Sequence, residues 1–259
     1  MKKLLALLLF APSLLFAQTP FDGTWVAKVD TAQLPKKPEV YFLSKDTYRC
    51  SSCIPPIEVK ADGADQKVTG HTYYDTVAAK IVDDNTAEIT NKKDGQTVYT
   101  ETDTISADGK TLTAKFSDQT GGNKEPVTGE VIYKRVGKQP AGAHALSGSW
   151  RTEKIENISN NGLAVTYQGT ENGLKMSAPT GQSYDAKFDG KDYPVEGDPG
   201  HTMVSLKRIG DSIEETDKRD GKVIGVVRMT ISADGKTMNV VYDDKRQGTT
   251  MTYKMEKQS

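Results

Sequence analysis

Two cysteines three residues apart are the sharpest chemical feature of this 259-residue chain, in the stretch Arg49-Cys50-Ser51-Ser52-Cys53-Ile54-Pro55-Pro56. A pair with this spacing can close a small disulfide, act as a redox dithiol or supply half of a metal site. The disulfide is the expectation, because these are the only two cysteines of the chain. A redox dithiol wants its first sulfur at a helix N-terminus, and Pro55-Pro56 leaves no helix to follow the motif. Covalent haem attachment needs a histidine directly after the second cysteine, where Ile54 stands, and zinc needs two further ligands, the nearest histidine being His71.

The remaining candidates are weaker. His71, His144 and His201 are the only histidines, and none sits in a motif with a nucleophile. No Gly-x-Ser-x-Gly elbow and no His-Glu-x-x-His motif occurs, so no catalytic residues are assigned and the chain reads as a non-enzyme without cofactor or metal. Gly109-Lys110-Thr111 and Gly235-Lys236-Thr237 lack the earlier glycine of a phosphate-binding loop and read as hairpin turns. Asp83-Asp84 and Asp243-Asp244 lack the spaced oxygens of a calcium loop. Tyr41, Tyr48, Tyr73 and Tyr74 form the densest aromatic set; they are candidates to line a ligand pocket, with packing inside a β-domain as the alternative.

The elements that must position these residues are strands. Thr, Val, Tyr, Gly and Asp are abundant, no window sustains a 3.6-residue apolar period, and only 36% of the chain is apolar, which suits thin-cored barrels or sandwiches. Met251, Tyr253 and Met255 alternate with Thr252, Lys254 and Glu256, as a strand with one buried face requires. A net charge of −1 gives no basic field for nucleic acid or an anionic membrane. Lys2-Lys3, an apolar run to Phe16 and then Ala17 read as a secretory signal peptide over residues 1–17. That run is shorter than the roughly 20 residues of a membrane-spanning helix. The expectation is a periplasmic or secreted protein without a membrane span, cleaved near Ala17.

Self-similarity sets the domain organisation. Phe21-Asp22-Gly23-Thr24-Trp25 returns as Leu146-Ser147-Gly148-Ser149-Trp150, and Asp62-Gly63 returns as Asp189-Gly190. Ile105-Ser106-Ala107-Asp108-Gly109-Lys110-Thr111 returns as Ile231-Ser232-Ala233-Asp234-Gly235-Lys236-Thr237, and Tyr133-Lys134 as Tyr253-Lys254. The expectation is two tandem all-β domains, 18–136 and 147–259, joined by a surface linker at 137–146 and free to move relative to each other. About eight to ten short strands punctuated by Asp-Gly turns favour an antiparallel up-and-down barrel in each.

Gly-x-Trp on the first strand, a meander of hairpins and a basic residue on the last strand resemble the calycin superfamily of lipocalin-like barrels. The segment Asp189-Gly190-Lys191-Asp192-Tyr193-Pro194-Val195 is also similar to uncharacterised exported bacterial proteins of that type. The resemblance implies that Trp25 and Trp150 each plug one barrel end, with Arg135 and Lys254 as candidates for the basic partner. It also implies a non-catalytic module for a small apolar or amphipathic ligand. The alternative is a structural or interaction protein of the cell envelope with solid barrels; the residues point to no particular protein partner. N-terminal sequencing of the exported protein is expected to begin at or within two residues of Gln18, and a mature chain that keeps Met1 would contradict the export reading.

Overall fold

The structure is a computed structural model that describes residues 19–258, so the expected signal peptide lies outside the described residues. It is all-β: twenty strands form two ten-stranded antiparallel sheets, each curled into a nearly closed barrel. Among the described residues the one helical element is the turn Asn160–Gly162, and no helix is long and apolar enough to cross a membrane.

The chain begins with β1 (Gly23–Gln33). The first repeat continues with β2 (Glu39–Leu43), β3 (Tyr48–Cys50), β4 (Ile57–Val59), β5 (Gln66–Lys67) and β6 (Thr76–Asp83). It ends with β7 (Thr86–Lys93), β8 (Gln96–Ile105), β9 (Thr111–Asp118) and β10 (Val127–Val136). The second repeat opens with β11 (Gly148–Glu156) and continues through β12 (Ala164–Gly169), β13 (Gly173–Ser177), β14 (Ser183–Lys187) and β15 (Tyr193–Pro194). It closes with β16 (Met203–Ile209), β17 (Ser212–Arg219), β18 (Lys222–Ile231), β19 (Thr237–Asp244) and β20 (Thr249–Lys257).

The barrels do not coincide with the repeats. Barrel one has the order β4-β3-β2-β11-β10-β9-β8-β7-β6-β5, and barrel two β14-β13-β12-β1-β20-β19-β18-β17-β16-β15. Each Gly-x-Trp strand therefore sits in the barrel built by the other repeat. Strand β11 pairs with β10 from Val136↔Ser149 to Glu130↔Glu156, and β1 pairs with β20 through Trp25↔Lys257 and Ala27↔Met255. Sequence neighbours pair readily, and the short connection after β10 makes β11 its nearest partner. The vacancy this leaves in barrel two is filled by β1. Contiguous domains at 18–136 and 147–259, free to move as beads on a linker, are thus not what the chain forms: two crossing strands tie the barrels together.

Each Trp is fully buried at one end of its barrel, and its indole Nε1 donates to a backbone carbonyl four residues earlier: Trp25 to Phe21 O at 2.8 Å, Trp150 to Leu146 O at 2.7 Å. A cation lies over each ring, Arg135 at 4.0 Å from the Trp150 centroid and Lys257 at 5.4 Å from that of Trp25. Arg135 also donates to the carbonyls of Gly109, Ala145 and Ser147. Lys254 does not take the role expected of it. The pleat places it on the outer face beside buried Met255, and Lys257, directly opposite Trp25, covers the indole. The glycine of each Gly-x-Trp makes the cover possible. Gly23 (φ 122°) and Gly148 (φ 136°) adopt backbone that side chains disfavour, and a Cβ there would stand 2.8 Å from Lys257 Cε and 2.6 Å from Arg135 Nη1.

The 137–146 segment is fastened to barrel one. His144 Nε2 is 2.7 Å from Asp83 O, the Ser147 hydroxyl donates to Leu43 O, and Leu146 is fully buried. Cys50 and Cys53 form the expected disulfide at the end of β3, with Cys50 buried against the barrel-one core. Exchange of the first strands makes a specific prediction. Trp25→Ala should cost about 3–5 kcal/mol, and hydrogen exchange should show the lost protection in β12 to β20, not in β2 to β10. Loss confined to β2 to β10 would contradict the topology.

Candidate functional site

Strand β17 reads Ser-Ile-Glu-Glu-Thr-Asp-Lys-Arg, and the period of two puts Ile213, Glu215 and Asp217 on one face. That face is the interior of barrel two, where Ile213 is buried and Glu215 and Asp217 bring two carboxyls into an apolar core. Across the ladder Glu215 faces Val227, and Asp217 faces Gly225.

Glu215 borders a cavity of about 600 Å³. Its wall is mostly apolar, with Met176, Met229, Met251 and Met255 supplying deformable thioether side chains. Ala27 and Val29 of the exchanged strand β1 form one side, and Phe116, Val127, Ile155 and Ile158 carry the void into the seam with barrel one. Trp25 is not in this wall; the cavity lies beyond it along the barrel. A second void of about 280 Å³ meets the first at Met176 and Glu215 and has a polar rim of Asp198, Asp217, Arg219, Arg246 and Tyr73. The open area of Glu215 therefore faces these two clefts, which open toward solvent.

The electrostatics follow from this placement. Burial pushes Glu215 up to about 8, the Asp217 charge adding to the effect, while the Tyr184 hydroxyl donates to Glu215 Oε2 at 2.5 Å and acts against it. Asp217 is pushed up to about 6, again chiefly by burial, with the Arg219 guanidinium opposing. Arg219 is held away from Glu215: its Nη2 donates to Tyr73 Oη at 2.5 Å and to Thr202 Oγ1 at 2.8 Å, and lies 4.0 Å from Asp198 Oδ2. Asp198 accepts from the amides of Gly200 and Thr202, and these bonds outweigh enough of its burial cost to keep its carboxyl low.

Barrel one carries a related set arranged differently. Glu101 and Asp103 point inward from β8, and Tyr99 donates to Glu101 Oε2 at 2.5 Å. Glu101 faces Ile89 on β7, whereas in barrel two the carboxyl is on β17 and the aliphatic residue, Val227, on β18. The layer is the same, with the two side chains exchanged between strands. Asp103 is displaced toward the Trp150 end and only 2% exposed, while Asp217 is displaced toward the open mouth. Tyr99, stacked on Phe116 with centroids 6.4 Å apart, fills the position where barrel two has Gly225. In barrel two the space beside that glycine is taken by another ring. Gly225 is packed against Tyr242, whose ring would stand 2.8 Å from an added Cβ.

The four tyrosines expected at a pocket do not share one. Tyr41 and Tyr48 lie within barrel one near Glu101 and Asp103, and burial raises both hydroxyls well above the usual range. Tyr74 stacks on His71 with centroids 4.6 Å apart, in a separate groove that also includes Pro55 and Lys222. Tyr73 lines that same groove and also bonds into barrel two, donating to Asp198 Oδ1 at 3.1 Å and lying under Arg219, 4.9 Å from guanidinium to ring centroid. Glu215, Asp217 and the methionines were missed. Their signal is legible afterwards: acids at two consecutive inward positions of a strand whose next inward residue is Ile213.

No protein-family model matches this chain, and no curated protein matches its sequence. The carboxyl of Glu215 gives a linkage prediction. Its folded-state value lies above the unfolded one, so the contribution of Glu215 to stability is full below about pH 4 and is lost as pH rises toward about 8. Denaturant midpoints measured across that window should decline in the wild type and decline less in Glu215→Gln; identical slopes would contradict the placement.

Proposed function

We propose that this protein is an exported, non-catalytic binding module whose barrel two holds one small amphipathic ligand. The single observation that carries this reading is the cavity of about 600 Å³, which falls within the roughly 300–1,000 Å³ of small-molecule sites and joins a methionine-rich apolar wall to two carboxyls, Glu215 inside the barrel and Asp118 at the seam. An apolar tail would occupy the void between β1 and β20, and its polar end would reach Glu215. Export is supported by the N-terminal pattern and by the Cys50–Cys53 disulfide, a bond favoured in oxidising compartments. A lipocalin-like assignment is supported by the near-closed meander and by the cation over each buried Trp. In this reading barrel one is the structural member, its interior occupied by the Tyr99 and Phe116 pair.

N-phenyl-1-naphthylamine, which is neutral at pH 7 and fluoresces in apolar surroundings, tests this. It should bind once per chain and be displaced by dodecanol. Val165 lines the cavity away from Glu215, so Val165→Trp should weaken binding about tenfold or more. Because the added ring enters a void, the thermal midpoint should hold or shift by only a few degrees. No fluorescence gain in the wild type, or an equal gain in Val165→Trp, would contradict the proposal.

A further inference from the structure

We propose that the ligand of barrel two carries a positively charged amino group, an ammonium on an apolar body, and that the Glu215 carboxylate is its counter-ion. This rests on the cavity being a binding site and adds the chemical class of what enters it.

The argument is one of unmet charge. Among the described residues no lysine or arginine pairs with Glu215; its contacts are the Tyr184 hydroxyl and the neighbouring Asp217. The nearest guanidinium, on Arg219, bonds through Nη2 to Tyr73 and Thr202 and lies near Asp198; its buried Nε has no partner among the described residues, yet its charge acts on Asp217 at the polar mouth and not on Glu215. The only cationic side chain in the cavity wall, Lys28, is drawn to Glu256 at 3.1 Å, whereas two acids, Asp118 and Glu215, line it. Asp118 Oδ1 is already occupied by the amide and hydroxyl of Thr120. Each acid of the wall thus keeps one oxygen without a partner among the described residues, Asp118 at the seam with barrel one and Glu215 within barrel two. A fatty carboxylate would find no cation in the void to pair with, and would meet a like charge as soon as Glu215 ionises. An alcohol would gain one neutral hydrogen bond, but an ammonium gains a charge-assisted one, roughly twice as strong, and ionises a carboxyl the protein leaves uncompensated. Barrel one shows the contrast: there Tyr99 donates to Glu101 and stacks on Phe116, whereas in barrel two Tyr184 donates to Glu215 and the Tyr242 ring covers Gly225.

Binding on these terms displaces a proton. The ammonium enters charged, the Glu215 carboxylic acid gives its proton to solvent, and the ion pair forms with no other bond made or broken. The groups facing Glu215 are Asp217 on its own strand, Tyr167 on β12, Tyr184 on β14, Tyr242 on β19 and Tyr253 on β20, with Asp198, Arg219 and Arg246 at the polar mouth; β16 and β18 face it with Leu206 and Val227. All four tyrosines are raised and stay neutral near pH 7, so Glu215 and Asp217 are the groups that titrate there.

The test uses the whole mature chain and displacement of N-phenyl-1-naphthylamine by dodecylamine, dodecanol and dodecanoate. At pH 8 dodecylamine should bind about tenfold or more tighter than dodecanol, with dodecanoate weakest. Its affinity should rise from pH 6 to pH 8, and calorimetry at pH 7 in buffers of different ionisation enthalpy should show proton release for the amine and none for the alcohol. Glu215→Gln should shrink the preference for amine over alcohol to within about threefold. Should that variant fail to fold, proton release in the wild type still decides. Dye binding with equal affinity for amine and alcohol and no proton release would overturn the ammonium assignment and leave the cavity reading standing. Absence of any dye or dodecanol binding would overturn both.

Discussion

Everything in this molecule depends on where the two Gly-x-Trp strands lie. Each leaves its own repeat and completes the barrel of the other, so neither core can form from one repeat alone. The indole that seals barrel two belongs to the first repeat, and the Lys257 that covers it belongs to the second. Burial of a tryptophan is among the largest single contributions a small β-barrel can make, and here it is spent on joining the halves. The cavity inherits the same constraint, since Ala27 and Val29 of β1 form part of a wall built mainly from β12 to β20 and extended by Phe116, Val127, Ile155 and Ile158 at the seam with barrel one.

A duplicated sequence folded this way leaves the two barrels free to diverge inside while their shells stay alike. The shells match strand for strand, and the turns at Asp108-Gly109 and Asp234-Gly235 are built alike, with Gly109 and Gly235 at the same positive φ. The interiors do not match. Barrel one closes its carboxyl layer with Tyr99 and Phe116 and moves its second acid toward the sealed end. At the position where barrel two has Asp217 it carries Asn91, whose Oδ1 is buried without a partner among the described residues. Barrel two replaces the tyrosine by Gly225, keeps Glu215 in the same layer and moves its second acid toward the mouth.

Much of the shell was legible in the sequence. Alternation along Met251 to Glu256, the repeated Asp-Gly turns and the Gly-x-Trp pair announced antiparallel barrels, and the cysteine spacing announced the disulfide. Strand exchange was not legible, because identical Gly-x-Trp strands satisfy either barrel and periodicity carries no information about which partner is chosen. Lys254, a basic residue on the last strand, looked like a partner for a buried Trp, yet the pleat turns it outward and gives the role at Trp25 to Lys257. The tyrosines drew notice through their density, but Tyr41 and Tyr48 are core and Tyr73 is a bridge between barrels. Glu215 escaped notice because an acid in a strand normally marks a wet face; only its inward phase with Ile213, fixed by the register with β16 and β18, reveals it.

The account stands on Glu215 being a protonated carboxyl within an apolar void and without a cationic partner. Carbon-13 NMR of glutamate-labelled protein, with Glu215→Gln to assign the signal, reads this directly as the titration of one side chain. The account predicts a carboxyl titrating far above the usual glutamate range, near 8, in the ligand-free protein, and falling on addition of dodecylamine. Titration in the ordinary range of about 4 to 5 without ligand would contradict it.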